Sequence, residues 1–77
     1  MNSLHLVRVN EQVWRVVTGQ GEHVGNLKHI GELWKFKAIG YDEKGEVIPG
    51  GGPLTQRHNL TFATIDEAEI NARLRLS

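Results

Sequence analysis

Short apolar runs separated by polar or glycine-bearing breaks divide the first two-thirds of the chain. Leu4–Val9 is the first run, and Asn10-Glu11 reads as a turn. Val13–Thr18 follows, with β-branched residues around Trp14 and Arg15. Gly19-Gln20-Gly21 interrupts the pattern, His23–Ile30 resumes it, and Leu33–Tyr41 alternates most clearly of all. The break between the last two runs, Gly31-Glu32, suits a type II′ hairpin turn, whose first central position needs positive φ. That turn sets a register in which Ile30 faces Leu33, followed by His29–Trp34, Lys28–Lys35, Leu27–Phe36, Asn26–Lys37 and Gly25–Ala38. Strand side chains alternate between faces. One face therefore carries Leu27, His29, Trp34, Phe36 and Ala38; the other carries Asn26, Lys28, Lys35 and Lys37, with Ile39 and Tyr41 beyond. The apolar face is the predicted core.

Asp42-Glu43-Lys44-Gly45 reads as a second hairpin turn, with Gly45 in the left-handed position. Glu46–Ile48 is then a return strand ended by Pro49, which has no N–H for a ladder. Asn59–Ala63 reads as a last short strand with Leu60 and Phe62 inward. Thr64-Ile65-Asp66-Glu67 fits a capping box and predicts a helix over 65–76. At about 100° per residue, Ile65, Ala68, Ala72 and Leu76 form one stripe, while Ile70 and Leu74 lie nearly opposite. The fold class is α+β: an antiparallel β-meander of four to five strands with one C-terminal helix packed on one face. One small domain over 1–77 is expected, its sheet within 4–63 and a glycine-rich loop at 49–55. The expected core is Trp14, Val16, Leu27, Trp34, Phe36, Ala38, Val47, Phe62, Ile65, Ala68 and Ala72.

With 39% hydrophobic and 23% charged residues, the chain has the composition of a folded globule rather than a disordered segment. It has no cysteine, which removes disulfides and thiol chemistry. A chain of 77 residues buries a marginal core, so self-association is an expected source of extra stability. Nine basic and nine acidic residues cancel, which disfavours wrapping of duplex DNA by bulk charge but leaves room for a local patch. No apolar run approaches the roughly 20 residues of a membrane span, and the start lacks a signal-peptide pattern. The expected compartment is the cytoplasm, with no membrane partner.

Candidate chemistry falls in separate places. Gly50, Gly51 and Gly52 stand between Pro49 and Pro53, and consecutive glycine amides can form an anion-binding nest. Arg57 and His58 follow the loop and add a cation and an imidazole, so the group reads as a site for an anionic ligand. The phosphate-loop pattern fails, because Pro53-Leu54 stands where a Lys-Ser/Thr is needed. Arg15, Lys28, Lys35 and Lys37 gather on one sheet face and read as a nucleic-acid platform. Ile70 and Leu74, left over on the helix, read as a homodimer interface. His23 and His29 are expected on one side of a strand without a third ligand, so neither a metal nor a cofactor is expected. Strands followed by Thr64-Ile65-Asp66-Glu67-Ala68 resemble, over about forty residues, small DNA-binding domains such as the arm-binding domains of phage integrases, a likeness of element order that ranks functions only. The glycine loop departs from that pattern. The reading is a small non-enzymatic binding module, homodimeric, with nucleic-acid binding as the alternative. A small enzyme using His58 ranks last, because no nucleophile or paired base accompanies it.

Overall fold

A computed structural model describes residues 3–75. Five strands, β1 (Leu4–Asn10), β2 (Val13–Thr18), β3 (His23–Ile30), β4 (Leu33–Tyr41) and β5 (Val47–Pro49), form an antiparallel meander in chain order. A sixth, β6 (Thr61–Phe62), returns to pair with β4, and a helix, α1 (Glu67–Leu74), closes the described chain. The β3–β4 register is the one the Gly31 turn predicts, from Ile30–Leu33 through Gly25–Ala38, and Gly31 has φ +62. Gly45, at φ +81, ends the second turn, where Asp42 Oδ1 accepts from the Lys44 and Glu46 amides.

One strand, β4, organises the rest. Its outer edge is shared by two short strands, with β5 against Ile39–Tyr41 and β6 against Trp34–Lys35. Between them, Phe36 N–H donates to Leu60 O and Phe36 O accepts from Asn59 N–H, both at 2.7 Å. Ala38 O accepts from Gly50 N–H at 2.7 Å, and Ala38 N–H donates to His58 Nδ1 at 3.0 Å. An imidazole thus stands in for a missing strand carbonyl, which meets the requirement that buried backbone groups be paired.

The glycine loop is what allows this arrangement. Gly52 has φ +85, and a Cβ there would run into the Ile39 carbonyl; one on Gly40 would lie 2.6 Å from Gly52 N. The loop backbone therefore packs directly on β4, an approach only glycine permits. It then sets Leu54, 1% exposed, into the core before a 3-10 turn at Thr55–Arg57 leads to His58. Leu54 was not foreseen as core.

The core comprises Leu4, Val16, Val24, Leu27, Phe36, Ala38, Leu54, Phe62, Ile70 and Leu74, with Trp14, Trp34, Leu60 and Ile65 partly buried against it. The helix corrects the expected stripe. Ile70 and Leu74 are 0% exposed inside the single chain, whereas Ala68 and Ala72 are exposed. Burial of a branched aliphatic contributes about 1.5–3 kcal/mol, far more than an alanine methyl, so the helix turns its larger side chains inward. The residues assigned to a homodimer interface are thus interior ones. The cap is also displaced from Thr64: Asp66 accepts from the Ala68 and Glu69 amides, and the helix begins at Glu67. Ile65 and Ile70 then occupy the positions of a hydrophobic staple. The expected helix end at Leu76 lies outside the described residues. Val47, expected inside, is 51% exposed on the two-sided edge strand.

The helix also joins the two sheet edges. Asn71 receives Leu4 N–H at 2.6 Å and donates to Leu4 O at 2.9 Å, completing an edge residue of β1 from both sides. On the opposite edge, Arg73 donates to Thr61 O at 3.0 Å and lies 4.6 Å above the Phe62 ring.

Candidate functional site

The face of the sheet away from α1 is assembled by strand register alone. Arg15 on β2 faces Asn26 on β3, which faces Lys37 on β4. One step along, Val13 faces Lys28, Lys28 faces Lys35, and Lys35 faces Thr61. Neighbouring strands lie about 4.8 Å apart and successive same-face residues about 7 Å apart along a strand. Arg15, Lys28, Lys35 and Lys37 are therefore brought together as expected, in a band across the middle strands.

Among the described residues, no strand contains an aspartate or glutamate. Glu11, Glu22, Glu32, Asp42, Glu43 and Glu46 stand in the turns, and Asp66, Glu67 and Glu69 at the start of the helix. The net charge of zero is thus a sum over separated regions: acidic turns and helix start, and a sheet carrying only cations. The sole ion pair among the described residues, Arg73–Glu69 at 3.9 Å, lies on the helix. Lys28 and Lys35 stand directly opposite each other with no carboxylate between them, an arrangement that disfavours folding by a few tenths of a kcal/mol up to about 1 kcal/mol. Lys37 Nζ is held 2.8 Å from Asn59 Oδ1. Asn59 reaches that point because it adopts φ +74, a left-handed conformation that asparagine tolerates.

Side chains other than lysine and arginine border the band at both ends of β3 and β4. At one end Tyr41, 48% exposed, lies with its hydroxyl 3.3 Å from His23 Nδ1, while His23 Nε2 lies 2.8 Å from Asn26 Oδ1. At the other end Ile30 and Leu33 face each other, 46% and 45% exposed. His23 reaches this face through a β-bulge: Val16 faces Gly25 but Val17 faces His23, so Val24 is the extra residue and turns into the core. The expected alignment of His23 with His29 is therefore corrected. His29 lies on the other side, stacked on Trp34 with ring centroids 4.6 Å apart. Among the described residues, no group of three His, Asp or Glu stands close enough to hold a metal ion.

The glycine-loop candidates have other roles in the fold. Gly50 and Gly51 amides donate to Ala38 O and Ile48 O, the first two amides of the supposed nest thereby pointing inward. The His58 ring covers Gly50 and accepts from Ala38 through Nδ1, which places the proton of the neutral ring on Nε2. Arg57 Nη2 donates to Arg75 O at 3.1 Å, fastening the loop to the end of the helix. Ile70 and Leu74 are in the core, as described above. The described residues include no helix long and apolar enough to cross a membrane.

Sequence reasoning found the cations and missed their surroundings. The absence of acidic residues from every strand was legible, because the strand boundaries were. Asn59 carried no such signal, since its position opposite Lys37 depends on a loop that crosses from β5 to β6. Comparison with protein-family models, with curated proteins and with solved structures finds no match.

Proposed function

We propose that the protein is a non-enzymatic binding module whose working surface is the open face of its sheet, and that its ligand is nucleic acid. The observation that carries this reading is the separation of charge. Arg15, Lys28, Lys35 and Lys37 share a face built from strands with no carboxylate, and two of these lysines are paired against their mutual repulsion. A surface maintained against folding stability in this way is suited to a partner that supplies the missing negative charge. Closely spaced phosphates do so at about one charge per 3.4 Å of each strand.

A homodimer draws no support from the helix, whose apolar side chains are interior. A two-fold dimer with its axis through the cationic band would set one band of cations against the other, which is repulsive.

The test is a titration of fluorescently labelled oligonucleotide against the full chain at several salt concentrations. Binding is expected to weaken steeply with salt, with a log–log slope of about −0.7 to −0.9 per phosphate neutralised. Lys35→Glu together with Lys37→Glu is expected to abolish it while circular dichroism stays unchanged. Equal affinity in that variant would refute the sheet face as the binding surface.

A further inference from the structure

We infer that the nucleic acid this face takes is single-stranded, its phosphates over the cationic band and a base on the Tyr41 ring. The inference rests on the binding reading above and adds the form of the ligand. Its first support is the shape of the charged area. The cations occupy only two rows, Arg15–Asn26–Lys37 and Lys28–Lys35, about 7 Å apart along the strands. No lysine or arginine lies beyond them on this face of β3 and β4, where Tyr41 with His23 forms one flank and Ile30 with Leu33 the other. A duplex holds its bases paired inside two phosphate chains, so its outer surface would lay sugar and phosphate on these apolar flanks. A single strand can keep its phosphates on the band and turn bases onto the flanks, where an aromatic ring accepts any base by stacking.

The second support is the environment of Tyr41. Its ring is half exposed at the end of β4, and its hydroxyl is oriented by His23, which in turn is held by Asn26 in the cationic row. The bulge at Val24 puts His23 there; with regular alternation it would face the core and leave Tyr41 without that partner. Stacking platform and phosphate row are thus joined by a continuous set of side chains, Tyr41–His23–Asn26, with Arg15 and Lys37 on either side of Asn26.

The experiment compares an oligo-dT strand with a duplex of the same number of phosphates, using the full chain and its Tyr41→Leu and Tyr41→Phe variants. Tyr41→Leu keeps an apolar side chain at the exposed site and removes the ring; Tyr41→Phe keeps the ring and removes the hydroxyl. The expected result is tighter binding to oligo-dT than to duplex. Tyr41→Leu should weaken oligo-dT binding about fivefold or more, with duplex binding unchanged and Tyr41→Phe close to the parent. Equal affinity for duplex, or an oligo-dT affinity indifferent to Tyr41→Leu, overturns the single-strand inference. If Lys35→Glu with Lys37→Glu still removes binding in that case, the nucleic-acid reading survives it. Binding to phosphatidylserine vesicles with none to either oligonucleotide overturns both.

Discussion

Gly52 and Gly45 have nearly the same φ, +85 and +81, yet the structure gives them different duties. Around Gly45 the space a Cβ would occupy is open, whereas at Gly52 it belongs to the Ile39 carbonyl. Gly45→Ala therefore meets only left-handed strain, about 1–2 kcal/mol. Gly52→Ala adds a backbone collision that no rotamer can relieve, and is expected to remove about 3 kcal/mol or more. Urea unfolding of the two variants checks the ordering; equal losses would mean that the loop does not pack on β4. His58 offers a second test at this scale. His58→Ala leaves Ala38 N–H without an acceptor, for a loss of about 1–3 kcal/mol. His58→Asn, whose amide oxygen can occupy the place of Nδ1, is expected to recover part of that loss and to restore slow hydrogen exchange at the Ala38 amide. A catalytic role for His58 would make these two variants equally inert while leaving stability alone.

Among the elements, the strands follow their hydrophobic pattern closely because hairpin geometry is local. Once Gly31 sets the turn, every pair from Ile30–Leu33 to Gly25–Ala38 follows. The helix is different. Two stripes were available, and two N-cap candidates, Thr64 and Asp66, stand two residues apart. Asp66 takes the cap because starting there places Ile65 and Ile70 as a staple and turns Ile70 and Leu74 onto the sheet. Asp66→Ala is expected to lower stability by about 1 kcal/mol, and Thr64→Ala by no more than a few tenths. Thermal unfolding separates the two, and a larger loss at Thr64 would restore the earlier helix start. Local rules could not decide between the stripes, because the choice depends on the apolar area that the sheet offers.

For the molecule as a whole, the interior position of Ile70 has a direct consequence. Ile70→Ala is expected to lower stability by about 2–5 kcal/mol, and Ile70→Lys to unfold the chain rather than to divide a dimer. Light scattering with circular dichroism distinguishes these outcomes: a folded Ile70→Lys monomer derived from a parent dimer would place the side chain at an interface after all. The sequence by itself determined the meander, its central register and the face on which Arg15, Lys28, Lys35 and Lys37 collect, since turn chemistry and two-residue alternation act over neighbouring residues. Tertiary structure alone decided what surrounds them. A bulge at Val24 turned His23 toward Tyr41, a loop crossing brought Asn59 to Lys37, and the demand of Ala38 for a partner drew in His58. Each of these joins residues far apart in the chain, and each follows from satisfying buried backbone groups and apolar area at once, a condition of the assembled sheet and helix rather than of any one segment.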